Sequence, residues 1–234
     1  ENLIGAMLDV SQLDVNAMDL RFAPTSIEQA VRMAMEPLIE AIRQRKLMLT
    51  ARGLRDLPPI QGDMQRLVQA IRNILSNAVK YTPDGGQIVI TGVMQDDNIH
   101  VTVADTGIGI DRSNHALVFE KFFRVHDPSL HSTGATKFMG AGPGLGLTIA
   151  KGVIEGHGGS IWVESEEMDM ENYPGSTFHI LLPLERPEED HDLQTVVGSS
   201  STGMVSLSSR HAANRIERQQ SSATTLDSGQ PSTP

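Results

Sequence analysis

Apolar residues recur along this chain with two different periods, and the changes of period divide it into elements. Leu3, Ile4, Met7, Leu8 and Leu13 fall on helical spacing and predict the end of an amphipathic helix over residues 1–20. A short strand is expected over 20–23. Thr25-Ser26-Ile27-Glu28 has the form of a capping box, in which a hydroxyl and a carboxylate each satisfy the other's backbone N–H. Ile27, Val31, Ala34, Leu38 and Ile42 carry the apolar face of the helix starting there, kinked at Pro37, which has no N–H to donate. Residues 47–51 read as a strand, and Pro58-Pro59 closes that region. Asp63 then caps a helix to about residue 80, with Met64, Leu67, Val68, Ile71, Leu75 and Ala78 on one face. Beyond it the period becomes two. Ile88, Ile90, Val101 and Val103 predict paired strands over 87–94 and 99–104, joined by a polar turn at 95–98. A loop-rich stretch, 105–144, precedes a helix to about 155 and strands over 160–164 and 177–182.

Strands and helices mix without regular βαβ alternation, so an α+β fold is expected, a two-layer α/β sandwich. Residues 186–234 contain no aromatic residue and are crowded with Ser, Thr and Gln. Such a segment buries too little apolar surface to offset its ordering entropy, and disorder is expected there. The chain therefore divides into 1–20, a domain over 21–185, and a tail over 186–234. With no cysteine, disulfides and thiolate metal sites are excluded. The formal net charge of -10 argues against nucleic acid as a partner. No apolar run approaches the roughly 18–20 residues that cross a bilayer, so no membrane contact is expected of this stretch. The chain opens Glu1-Asn2-Leu3 rather than with Met, and is expected to belong to something longer.

An anionic ligand would then need local devices, and three segments offer them. Asn73, Asn77 and Lys80 form a polar stripe on the helix over 63–80. A solvated face is the plainer reading, but asparagine is a poor helix former, and its carboxamide oxygen suits Mg²⁺ that keeps waters and phosphate oxygens. Asp105-Thr106-Gly107-Ile108-Gly109 follows a strand; it reads equally as a turn or as a carboxylate facing a base amine. Gly140-Ala-Gly142-Pro-Gly144-Leu-Gly146-Leu147 opens a helix, where unpaired N–H groups meet phosphate. It matches neither the dinucleotide fingerprint nor a Walker A loop. Between the last two, Phe119, Phe122 and Phe123 are expected to enter the core and anchor a flap over about 125–141.

In order, these segments resemble the ATP-binding domain of sensor histidine kinases, in the superfamily shared by DNA gyrase, MutL and the 90-kDa heat-shock chaperone. Asn73-Ile-Leu-Ser-Asn77-Ala-Val-Lys80-Tyr81-Thr82 is similar to that family's N box and Asp105-Thr-Gly-Ile-Gly109 to its G1 box. Phe119-Glu-Lys-Phe-Phe-Arg124 resembles the F box, and Gly142-Pro-Gly-Leu-Gly-Leu147 the G2 box, with Pro143 a departure. The resemblance covers about residues 10–185. It implies a Bergerat-type sandwich with ATP held under a flexible lid. It further implies that Asn77 ligates Mg²⁺, that Asn73 assists, and that Lys80 and Arg124 approach the phosphates. Tyr81 would line the pocket, Asp105 would hold the adenine amine, and Gly107, Gly109 and Thr177 would shape the base site. Gly142, Gly144 and Gly146 would let the lid meet the triphosphate. The acceptor His of the family lies on a preceding helix hairpin, and none of the eight histidines here has that setting. The resemblance thus implies an ATP-dependent histidine kinase domain that cannot phosphorylate itself alone, working with its own hairpin, in a homodimer, on a response regulator in the cytoplasm, whether or not the parent is membrane-anchored. A conformational ATPase and a degenerate binding module are the alternatives. The superfamily's hydrolases carry Glu where this chain has Asn73, which disfavours the first.

Overall fold

The computed structural model describes residues 19–123 and 144–185. The expected N-terminal helix, Arg124, Gly142, the flap and the tail lie outside the described residues. The elements in chain order are β1 (Ala23–Thr25), α1 (Ile27–Met35), a 3₁₀ turn (Glu36–Leu38), α2 (Ile39–Gln44), β2 (Met48–Arg52), β3 (Ile60–Gly62) and α3 (Met64–Tyr81). They continue with β4 (Gln87–Gln95), β5 (Asn98–Asp105), 3₁₀ turns at Arg112–Asn114 and Leu117–Phe119, α4 (Gly146–Gly156), β6 (Ser160–Glu164) and β7 (Ser176–Pro183).

Five strands form a mixed sheet in the order β2-β4-β5-β7-β6, with β2–β4 parallel and the other pairs antiparallel. A parallel pair needs a crossover, and the chain between β2 and β4 supplies one through α3. α3 packs against both α1 and α4. One sheet face meets this helical layer through Ile88, Ile90, Ile99, Val101, Val103, Phe178, Ile180 and Leu182, all buried. Fully burying one such side chain contributes about 1.5–3 kcal/mol, so the interface between layers is where stability concentrates.

Local chemistry accounts for the element ends, with two differences from the sequence expectation. The N-cap of α1 is Ser26, whose Oγ accepts from Gln29 N–H, and not Thr25. Thr25 is withdrawn because its hydroxyl donates to the Gly62 carbonyl across the β1–β3 pair, a strand contact that local pattern does not reveal. Pro37 sits in the 3₁₀ turn and ends α1 early, as its missing N–H requires. Asp63 caps α3, accepting from the N–H groups of Gln65 and Arg66. Its own N–H donates to His157 Nε2 at 2.9 Å, while His157 Nδ1 lies 2.7 Å from the Val153 carbonyl. These partners assign the proton of a neutral ring to Nδ1 and tie the start of α3 to the end of α4. Burial holds the His157 pKa below its ordinary value.

Candidate nucleotide-binding site

The polar stripe of α3 is not a solvated face. Asn73 and Asn77 are half-buried and Lys80 is 9% exposed, because α1 and α4 flank the helix while the sheet lies beneath it. Asn73 Nδ2 donates to the Gly146 carbonyl at 3.0 Å, at the first residue of α4. One turn on, Asn77 is likewise half-buried. Lys80 Nζ stands 4.7 Å above the centre of the Tyr81 ring. Lys80 and Tyr81 form the last turn of the helix, and that turn is joined to the loop after β5.

The join is made at Gly107. Its N–H donates to Asp105 Oδ1 at 2.8 Å, and the next N–H, of Ile108, donates to the Tyr81 carbonyl at 3.2 Å. A Cβ on Gly107 would stand 2.6 Å from both Asp105 Oδ1 and the Tyr81 carbonyl oxygen, so only glycine fits between them. The Asp105 carboxyl is thereby fixed beside the end of the asparagine-bearing helix. Burial is the largest influence on it and pushes its pKa up to about 7, against the lowering effect of the Gly107 and Ser176 N–H groups. Gly109 has φ +76 and backs onto the Glu167 carbonyl, so its lack of a side chain is used by the packing of the segment between β6 and β7.

Strand register adds a residue that the sequence reading passed over. Asp105 pairs with Ser176 and Ala104 with Thr177. Alternation along the strands puts Ser176, which is buried, on the helix-facing side with Asp105 and Phe178. Thr177 falls on the other face, opposite Glu164. A cavity of about 560 Å³ at these strand ends is lined by Asp105, Ser176, Thr177, Glu164, Arg112 and His115, among others. The motif places polar side chains at both 176 and 177, and only the pairing shows which of them accompanies the carboxylate.

The remaining aromatic and glycine-rich residues divide. Phe119 is buried and Phe123 packs against the core, as expected, but Phe122 is 57% exposed with φ +62. Its N–H donates to the Gly144 carbonyl, which fixes the backbone there and turns the ring outward. Leu145 is buried and Leu147 packs against the core. Gly146 opens α4 against Asn73.

A two-layer sandwich with a carboxamide-bearing helix pinned to a half-buried carboxylate defines a nucleotide-binding domain of Bergerat type. The chain belongs to the family described as histidine kinase-, DNA gyrase B-, and HSP90-like ATPase, whose model matches residues 62–186, more than half of it. That family is an ATP-binding one. The adaptive-response sensory kinase SasA of Synechococcus elongatus is 29% identical over 187 residues, covering 80% of this chain and 45% of SasA. The full-length ShkA structure in complex with AMPPNP aligns with a TM-score of 0.65 at 27% identity, covering 79% of this chain and 36% of that one. The histidine kinase ThkA in complex with the response regulator TrrA shares the fold, with a TM-score of 0.58 at 23% identity, covering 78% and 48%. The chain spans from about a fifth to just under half of the length of the curated relatives it matches. Among the described residues, no helix is long and apolar enough to cross a membrane.

Proposed function

We propose that this chain is the catalytic domain of a sensor histidine kinase, which binds ATP with Mg²⁺ between α3 and the loop over 105–109 and passes the γ-phosphoryl group to a histidine on a helix hairpin. The observation that carries the reading is the bridge through Gly107, which holds the Asp105 carboxyl against the end of the helix bearing Asn73, Asn77 and Lys80. One end of that arrangement suits a base with an exocyclic amine and the other suits phosphates.

In this reading Asp105 accepts from the adenine amine, with Ser176, Gly107 and Gly109 around the base and Tyr81 along the pocket; Thr177, on the other sheet face, does not accompany the carboxylate. Lys80 meets phosphate as a point charge, with Arg124 joining it. The half-buried Asn77 amide fits a hard oxygen ligand for Mg²⁺. Among the described residues no three His, Cys, Asp or Glu side chains converge as ligands, so phosphate oxygens and water would complete the metal's shell. Magnesium, when bound, neutralises charge on the phosphate oxygens. Gly142, Gly144 and Gly146 give the lid its close approach to the triphosphate.

Asn73 favours phosphotransfer over hydrolysis. A carboxamide cannot take a proton from water, and its nitrogen already donates to Gly146. An imidazole needs less help, being itself a nucleophile: the bond from γ-phosphorus to the bridging oxygen breaks, a bond to the ring nitrogen forms, and ADP leaves. The partners are the hairpin of the same or a sister chain in a homodimer, and a response-regulator receiver domain, in the cytoplasm. The test supplies γ-labelled ATP to the chain with and without its parent's hairpin. Label on the hairpin histidine, and none on this chain alone, is expected. Steady phosphate release with no transfer to the hairpin would favour an ATPase instead.

A further inference from the structure

Arg45 follows α2 and belongs to none of the segments that carry the nucleotide site, yet its side chain is buried, with a residue exposure of 9%. Its guanidinium reaches 34 to 39 residues along the chain to three acceptors. Nε donates to Asp84 Oδ1 at 2.7 Å, Nη1 donates to the Val79 carbonyl, and Nη2 donates to the Thr82 carbonyl. Val79 and Thr82 bracket Lys80 and Tyr81. The last carbonyls of any helix lack amide partners from the following turn, and here one planar cation satisfies that of Val79 and that of the capping Thr82 at the negative end of the helix dipole. In return, Gly85 N–H donates to the Arg45 carbonyl at 2.9 Å, closing the turn that follows α3.

The same turn is held from its other side by the Ile108 N–H on the Tyr81 carbonyl. Thus Arg45 and the loop after Asp105 grip one helical turn between them. We infer that Arg45 is a positioning residue for the nucleotide site: it sets the last turn of α3, and through that turn the placement of Lys80, Tyr81 and the Gly107–Asp105 bridge. The inference rests on the nucleotide-site reading above. Lysine at 45 would keep the charge but lacks the planar fork that spans both carbonyls and Asp84.

The test uses the full chain carrying Arg45→Met or Arg45→Lys, with the core variant Ile99→Val as a control for lost stability alone. Mg-ATP affinity is measured by calorimetry, the melting temperature by circular dichroism, and Ile108 N–H exchange by NMR. Arg45→Met is expected to weaken Mg-ATP binding about tenfold or more, as loss of a supporting partner behind a bound group commonly does. Arg45→Lys should fall between it and the unsubstituted chain. Ile108 N–H exchange should quicken in both, while Ile99→Val lowers the melting temperature with no change in affinity. If Arg45→Met fails to fold, Arg45→Lys decides by the same readings. Folded Arg45 variants with unchanged affinity would overturn the inference alone, as would an affinity loss in Ile99→Val matching theirs at equal melting temperature. No nucleotide binding by the unsubstituted chain would overturn the site reading and this inference with it.

Discussion

The Asn73 side-chain amide donates to the Gly146 carbonyl, joining the middle of α3 to the first residue of α4. Asn73→Asp removes the donor and sets a carboxylate oxygen against a carbonyl oxygen. It should lower stability by about 1–3 kcal/mol, the usual cost of stranding a buried polar group, and abolish phosphotransfer. Thermal unfolding and label transfer from ATP check the two effects. An Asp variant with unchanged melting temperature would remove this contact from the account.

Burial raises the Asp105 carboxyl pKa to about 7. Its raised pKa means that the folded chain binds a proton more readily than the unfolded chain between the ordinary carboxyl value of 3.8 and about 7. The stability this brings is complete below 3.8 and is lost as pH rises through about 7. Asp105→Asn should therefore melt higher than the unsubstituted chain at pH 8, by about 1–2 kcal/mol after allowance for partial exposure, and the two should converge near pH 4. Because the substituted amide's nitrogen cannot accept, nucleotide binding should weaken at both. Equal melting at pH 8 would contradict the raised carboxyl pKa.

Gly107→Ala tests the bridge itself. A Cβ there would stand 2.6 Å from Asp105 Oδ1 and from the Tyr81 carbonyl oxygen, the second being backbone that cannot rotate away. A loss of about 1–3 kcal/mol and of nucleotide binding is expected, read by denaturant unfolding and calorimetry. A variant that binds normally would show that this loop and α3 need not approach so closely.

His157 should make stability fall in mild acid. Its folded pKa lies below the ordinary 6.5, so the neutral ring's contribution is complete above 6.5 and is lost as pH falls toward the folded value. Protonation would also cost the Asp63 N–H its acceptor. His157→Ala should destabilise the chain by about 2–3 kcal/mol at pH 8 and by less at pH 5. A difference that stays constant across that range, in melts at matched ionic strength, would contradict the assigned ring state.

Much of this was readable before the structure. The apolar spacing of α3, the Asp63 cap and the alternation of β4 and β5 depend on neighbours a few residues apart, and such neighbours are what a sequence displays. What it did not display depends on pairing across long separations. β3 is three residues long and exists by pairing with β1, which also takes Thr25 out of its expected capping role. The parallel pairing of β2 with β4 gives no alternation signal of its own. Ser176 and Thr177 are equivalent polar residues until register assigns them to opposite faces. The burial of Lys80 could not be read, because a single helix does not show that two others flank it. Phe122 looked apolar and therefore internal, but its backbone turns the ring outward. Arg45 had no motif around it, and the Val79, Thr82 and Asp84 acceptors lie far away in sequence.

The central claim is that one cleft holds a purine triphosphate, with its base at Asp105 and its metal at Asn77. Calorimetric titration of the chain with ATP, with Mg²⁺ and again with the metal chelated, tests it most directly. Micromolar-range binding that weakens on chelation, on Asp105→Asn and on Asn77→Asp is predicted. Absence of any heat of binding from the folded chain at millimolar Mg-ATP would contradict it.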